Sequence, residues 1–366
     1  VTFLAFVNYA ALLAVVPMWA SVGGAASLAV GSTTGVMMGA TIVTQLGAVV
    51  VFKLLRLGQM MVIGAVLLGA PTPLYIVSAD ISWIMMITVV RGVGFALVVL
   101  SGATLVADLA EAGRLSSSAS LYGTAAALPN LGALPGGVWI AETWGFPLVF
   151  WGAGVACLLG AALAVGLPRQ ARGAFRLVTL ADVRRIATPV GIFVLTAVSF
   201  GAATTFLPIS GPSARQVSLA LLVASGALVL GRLGAGILGD RIAPGRLLVP
   251  SALLAAAGLG LTSEAVRASP SLLLLGAALL GAAFGAGQND SFVATVQRLG
   301  PTRTGTASTV WNMAYDGGLG LGAVALGWVI GTTGYAGAFL TLALGVAGAA
   351  LLLQLALRVR LHQASH

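Results

Sequence analysis

Apolar stretches long enough to cross a lipid bilayer recur along almost the whole chain. They fall at about 1–20, 33–52, 58–77, 84–107, 118–140, 146–166, 188–208, 216–238, 246–263, 271–294, 305–330 and 334–357. A membrane-spanning helix takes roughly 20 apolar residues. Twelve spans in 366 residues leave roughly 30 residues for each crossing and its connection, and no sizeable domain outside the membrane. Only 7% of the residues are charged, against about 25% in soluble domains. So few charges cannot cover a water-facing surface, which excludes a soluble enzyme and a disordered tail. The 50 glycines follow no G-X-Y period and lie inside apolar runs, where membrane helices tolerate them. The first segment lacks a basic leader region and is followed by eleven more, so it reads as a span rather than a signal peptide. Val1 in place of Met leaves room for a trimmed N-terminus.

Twelve spans put both termini on one side. That side carries Lys53, Arg56, Arg114, Arg169, Arg172, Arg176, Arg184, Arg185, Arg241, Arg246, Arg298, Arg303, Arg358 and Arg360, and the opposite side carries Arg215 and Arg267. Fourteen against two is a strong positive-inside bias and places both termini in the cytoplasm. The same scatter over loops explains the net charge of +9 without nucleic acid. The longest connection, 167–187, holds five of these arginines and Pro168. It reads as a cytoplasmic linker between an N-terminal bundle at 1–166 and a C-terminal bundle at 188–357, with a cytoplasmic tail at 358–366.

The halves repeat. Ala119-Ser120 matches Ala307-Ser308 and Leu131-Gly132 matches Leu319-Gly320 at an offset of 188. Trp139 matches Trp328, Gly145-Phe146 matches Gly334-Tyr335, and Phe150 matches Phe339 at an offset of 189. An offset of six spans preserves membrane orientation, so the repeat is parallel. Two six-helix halves of this kind form a transporter plan with its site between them.

At the end of the eighth span runs Gly231-Arg232-Leu233-Gly234-Ala235-Gly236-Ile237-Leu238-Gly239-Asp240-Arg241, then Gly245-Arg246. Small residues permit close helix packing. Arg232, Asp240, Arg241 and Arg246 form a charge cluster able to latch two helices in one state and release them in another. This run resembles the loop signature of the major facilitator superfamily. The family's stronger copy lies between helices two and three, where this chain reads Phe52-Lys53-Leu54-Leu55-Arg56-Leu57-Gly58. Leu55 stands where the family has an aspartate, so Arg56 keeps the motif without its acid and Asp240 takes more of the gating.

Three further helices carry polar groups at membrane depth. Arg91 opens Arg91-Gly92-Val93-Gly94 in the fourth span. A charge in lipid faces the bundle interior and marks a pathway, unless it snorkels to the surface. In the drug-exporting members that this chain resembles, an arginine there is linked to proton coupling. The fifth span reads Leu128-Pro129-Asn130-Leu131-Gly132-Ala133-Leu134-Pro135-Gly136-Gly137. It is similar to the exporter motif of helix five, with Leu134 in place of the glycine before the proline. Asn130 either contacts substrate or bonds a carbonyl freed by proline. In the eleventh span, Asp316 lies about eleven residues deep, with Asn312 one turn before it. A carboxylate near the midplane can gain and lose a proton during alternating access, or be fixed in an ion pair with Arg91 or Arg232. Asn8, Gln45 and Gln288 are further candidates for substrate contact. Asp290 is placed either in transport or in a pair with Arg298 or Arg303.

No ATP-binding P-loop is present, and Cys157 with His362 and His366 makes no metal set. No cofactor is therefore expected. The expected fold is an all-α membrane protein of twelve transmembrane helices in two parallel-repeat six-helix bundles, the major facilitator fold. The resemblance implies a monomeric, non-enzymatic secondary transporter in a prokaryotic inner (plasma) membrane. It would export a small amphipathic organic molecule by proton antiport through rocker-switch alternating access. Proton-coupled uptake and a non-transporting sensor are the alternatives. Asp316 and Arg91 would couple protons, Asn8, Gln45, Asn130, Asn312 and Gln288 would contact substrate, and Arg56, Arg232, Asp240, Arg241 and Arg246 would gate.

Overall fold

The computed structural model describes all residues except 110–114, 168–178, 240, 268–269, 301–302 and 365–366. The described residues form helices and turns and no strand. Most of the helices are apolar on every face, as a helix surrounded by lipid and other helices must be. In chain order they are α1 (Thr2–Val22), α2 (Ser27–Leu46), α3 (Ala48–Leu54), α4 (Leu57–Gly69), α5 (Ile81–Leu109), α6 (Leu115–Ala127) and α7 (Pro129–Trp144). There follow α8 (Phe146–Val165), α9 (Leu180–Phe206), α10 (Ala214–Gly239), α11 (Leu248–Arg267), α12 (Pro270–Leu299) and α13 (Thr304–Ala364).

Among the described residues, ten helical stretches are long and apolar enough to cross a bilayer. Two details raise that to the twelve crossings read from the sequence. The apolar stretch Gly305–Leu355 of α13 has 51 residues, about 77 Å at 1.5 Å per residue, which is two crossings. It turns at Gly334, whose dihedrals (φ 68°, ψ 176°) are closed to residues with a Cβ. Conversely, α6 and α7 are each too short to cross alone. They continue through Leu128, which keeps helical dihedrals (φ −56°, ψ −38°). Pro129 has no N–H, so the ladder tightens there to a Leu131 N to Leu128 O bond of 3.1 Å.

The chain forms two compact units, Val1–Leu177 with Ser213–Ser218, and Val178–Pro212 with Leu219–His366. In the first, α1 packs on α7 and α8, and α5 packs on α2 and α4. In the second, α13 packs on α9 and α11, and α12 packs on α9 and α11. The packing depends on missing side chains. A Cβ at Gly322 of α13 would lie 2.0 Å from the carbonyl oxygen of Val198 on α9, so the two backbones touch, as small residues allow in membranes. Large apolar side chains such as Leu163, Leu230, Trp328 and Leu352 point outward. That is the surface a lipid solvent requires.

The repeat seen in the sequence is also a repeat of backbone devices. Gly145, between α7 and α8, has φ 95° and ψ 156°, the same sparsely allowed region as its counterpart Gly334. Phe150 and Phe339, the aromatic pair of the repeat, are both fully buried. Trp139 and Trp328 are both exposed. Helix α9 begins at Leu180, inside the connection expected at 167–187, because Thr179 and Asp182 cap it reciprocally.

Candidate functional site

The first unit encloses a buried guanidinium. Arg91 is the eleventh residue of α5 and 1% exposed. It does not snorkel; it is sealed in. One terminal nitrogen donates to the Oδ1 of Asn8 at 3.0 Å, and the other donates to the hydroxyl of Tyr75 at 3.2 Å. Its carbon centre also lies 5.5 Å from the Tyr75 ring centroid, a cation–π distance. The cage is held from behind. Asn8 of α1 donates its amide to Thr72 Oγ1 at 3.1 Å and to the carbonyl of Ala153 on α8 at 2.9 Å. Tyr75 Oη bonds Thr88 Oγ1 at 2.8 Å, and the indole of Trp19 donates to the Tyr75 carbonyl at 2.9 Å.

Every partner in this cage is neutral. Among the described residues, no carboxylate lies within ion-pairing distance of Arg91, and its Nε–H has no protein acceptor. Burying an unpaired ion costs several kcal/mol even after relaxation, so this charge is expensive to keep. A cavity of about 10 Å³, room for one water, lies beside it, lined by Leu12, Val16, Met37 and Met38 with the hydroxyl-bearing Thr33, Thr34 and Thr88.

The second unit encloses a carboxylate. Asp316 of α13 is 4% exposed. Next to it, Tyr315 belongs to an aromatic cluster contributed by three helices. Phe193 of α9 stacks on Trp311 of α13 at 5.2 Å, and Phe284 of α12 lies 5.4 Å from Tyr315. The Trp311 indole donates to Ser291 Oγ at 2.8 Å. Asn312, on the Asp316 face of α13, donates its amide back to the Ser308 carbonyl at 2.8 Å. Gln288 is buried on α12, and Gln45 is buried on α2 in the first unit. The Asn130 amide donates to the Ala127 carbonyl at 3.3 Å, directly before the Pro129 break.

A set of polar groups gathers at helix ends of the second unit. Asp290 of α12 accepts the Gly245 amide through Oδ1 and the Leu247 amide through Oδ2, both at 2.8 Å. The pairing of Asp290 with Arg298 or Arg303 allowed by the sequence is therefore corrected. Two preoriented N–H groups ahead of α11 take both oxygens. Arg303 instead pairs with Asp182, and Arg298 donates to the carbonyl of Arg185 at 3.2 Å. Of the expected gating residues, Arg56 is exposed ahead of α4, and its backbone N–H donates to Gln59 Oε1 at 3.0 Å. Arg232, Arg241 and Arg246 are exposed on and after α10. Asp240 lies outside the described residues.

Solved transporter structures share this architecture along nearly their whole length. The nucleoside transporter NupG superimposes at a TM-score of 0.74, with 15% identity over 98% of this chain and 96% of that one. A mutant of the peptide transporter POT gives 0.77 and 14%, over 98% and 93%. A D-xylose–proton symporter gives 0.72 and 15%, over 96% and 95%. The fold is the major facilitator fold. No protein-family sequence model matches the chain, and no curated protein sequence does.

On a major facilitator scaffold, the two buried charges have different capabilities. A guanidinium stays protonated at any working pH and can act only as a fixed charge and donor. A carboxylate inside a helix bundle can exchange a proton. Sequence reading missed Tyr75, Thr72 and Thr88, because each is an ordinary polar residue until the fold brings it to Arg91. It also missed Asp182. There the Thr179-x-x-Asp182 spacing, close to a capping box, was an available signal.

Proposed function

We propose that the chain is a secondary active transporter that exports a small amphipathic organic molecule in exchange for protons, by alternating access of the halves 1–166 and 188–357. The observation that carries this reading is a buried ionisable group in each unit, Arg91 and Asp316, inside helices that cross the membrane. Membrane proteins seldom keep such groups without a function for them. Asp316 is assigned the proton, because it is the member of the pair that can release one. Arg91 is the fixed positive charge of the N-terminal half.

Export is favoured by α7. Pro135 sits inside the helix, and a Cβ at Gly137 would lie 2.8 Å from the Ala11 carbonyl on α1. Gly137 of the Pro135-Gly136-Gly137 run, which resembles part of the exporter motif, thus brings α7 close to α1. Uptake is the second reading, favoured by the likeness to a D-xylose–proton symporter. Both termini are assigned to the cytoplasm from the arginine distribution, and the charged residues Arg56, Arg232, Asp240, Arg241 and Arg246 to the cytoplasmic gate.

The test uses everted membrane vesicles with an imposed pH gradient and a pH-sensitive dye, challenged with lipophilic cations, organic anions and uncharged metabolites. Compound-induced proton release in wild type and none in Asp316→Asn is the expected result. Undiminished gradient-driven transport by Asp316→Asn would overturn the assignment.

A further inference from the structure

Helix α13 packs on its neighbours in two ways, and the change falls beside Asp316. After Asp316 the contact is backbone on backbone. A Cβ at Gly318 would run into the Ala197 side chain of α9, a Cβ at Gly322 into the Val198 carbonyl, and a Cβ at Gly201 of α9 into the Leu319 carbonyl. Before Asp316 the contact is made by side chains. Trp311 stacks on Phe193 at 5.2 Å and meets Phe292 edge-on at 5.4 Å, and Tyr315 lies 5.4 Å from Phe284. The Trp311 indole bonds Ser291 Oγ. Ring faces can separate without disturbing either backbone. Gly317-Gly318 stands at the boundary, and small-residue pairs of this kind are where long helices bend.

The far end of this side-chain stretch is fastened to α9. Arg303, immediately before α13, pairs with Asp182, and Ala307 packs with Ile186 of α9 and Leu299 of α12. The pair is built to part. The Arg303 side chain is 38% exposed and that of Asp182 is 2% exposed, so the guanidinium can exchange its partner for water at small cost. The carboxylate is satisfied from its own helix end. Its Oδ2 accepts the Thr179 hydroxyl at 2.7 Å and the Thr179 amide at 3.0 Å, and neither bond involves α13.

We propose that residues 304–316 of α13 form an arm that bends at Gly317-Gly318 and is held shut by the Asp182–Arg303 clasp, with Asp316 buried at its base. Opening parts Trp311 from Phe193 and admits water to a carboxylate that is 4% exposed when the arm is shut. The name of gate for this arm rests on the transport reading of Asp316. The arm as a moving part does not.

Two measurements on the full chain in nanodiscs test it. Hydrogen exchange compares peptides covering 305–315 with peptides covering 319–330. Labelling with a water-soluble carbodiimide and glycine ethyl ester, read by mass spectrometry with Asp316→Asn as the blank, reports water at Asp316. In wild type, 305–315 should exchange about tenfold faster than 319–330 or more; equal protection overturns the arm, and this comparison needs no variant to fold. Arg303→Gln should speed both exchange over 305–315 and labelling of Asp316 by about tenfold. Arg303→Lys, which keeps the charge, should change each by less than about threefold. Peptides 319–330 should keep their wild-type protection and so report that the variant is folded. Gly317→Ala added to Arg303→Gln should bring the labelling rate back towards wild type, because a stiffer helix bends less. Unchanged exchange and labelling in folded Arg303→Gln overturn the clasp. Exchange that rises equally on both sides of Gly317, or labelling that Gly317→Ala leaves fast, overturns the bend. Neither readout involves transport, so their failure leaves the proton-exchange reading standing. The expected labelling in a protein without proton-linked flux would sink that reading alone.

Discussion

Replacing Asp290 with alanine removes the acceptor of two backbone amides at once. The bonds from Gly245 and Leu247 are both 2.8 Å long, and the carboxylate is 4% exposed. A hydrogen bond to a charged group contributes about 1.5–3 kcal/mol. Two to one carboxylate do not add fully, and the freed amides regain some water, so the expected cost is about 2–4 kcal/mol. Asparagine keeps one acceptor oxygen and presents an NH2 to the other amide, which predicts about 1–2 kcal/mol. The effect should be local, because these bonds organise the turn that leads into α11. Hydrogen exchange on peptides covering 241–250, with the protein in nanodiscs, reads it directly. At about 1.4 kcal/mol per factor of ten, Asp290→Ala should lower protection roughly 30-fold or more, and Asp290→Asn by roughly 5- to 30-fold. Peptides around Thr179–Ile186 serve as the control, since Asp182 caps that end independently. Exchange at Gly245 and Leu247 within threefold of wild type in Asp290→Ala would refute the claim that the carboxylate holds this turn.

Three further substitutions probe other parts of the molecule. Asp316→Asn should leave the melting temperature within a few degrees of wild type and abolish proton-linked flux; a flux unchanged at every pH gradient would contradict its role. Asn8→Leu removes an acceptor from a buried cation and two donors, and should cost about 2–4 kcal/mol, read as a drop in melting temperature. A drop smaller than that caused by Asn130→Leu, whose one amide bond is 3.3 Å long, would count against the cage. Gly334→Ala and Gly145→Ala each force a Cβ into a region open almost only to glycine, at about 1–3 kcal/mol each. The two should destabilise alike, and a neutral effect at either would break the structural equivalence of the turns.

Most of the fold was legible because the membrane imposes one rule, that every backbone group in lipid bonds within its own helix. Length and hydropathy therefore located nearly all the crossings, and the arginine pattern gave a consistent count. What the apolar pattern could not show was where helices end or break. Helix α9 starts well before its apolar part because Thr179 and Asp182 cap it. The fifth crossing divides at Leu128 because Pro129 lacks an N–H. The candidate sites were half legible. Arg91 and Asp316 stood out as charges among apolar residues. Their surroundings did not, because Asn8, Thr72, Tyr75, Thr88 and Ala153 are distant in sequence and meet only through packing. The arginine pairing considered for Asp290 fails for a related reason. Its sequence neighbourhood offered arginines, while the fold offered backbone amides aimed at both oxygens.

The repeat separates what this scaffold needs from what its chemistry needs. Positions that shape the backbone match between the halves: Gly145 with Gly334 in dihedral angles, Phe150 with Phe339 in burial, Trp139 with Trp328 in exposure. The buried charges do not match. At the offset of 188, Asp316 falls on Leu128, where the other half interrupts its helix instead of placing a carboxylate. The counterpart of α5 is α12, which contains no basic residue before Arg298, so Arg91 also has no partner in the repeat. A duplicated bundle needs identical turns to fold each half the same way. The buried charges are where the halves differ. The unlike pair of Arg91 and Asp316 is thus not required by the repeated architecture, which would otherwise have produced both or neither, and this asymmetry is what the proposed transport chemistry accounts for.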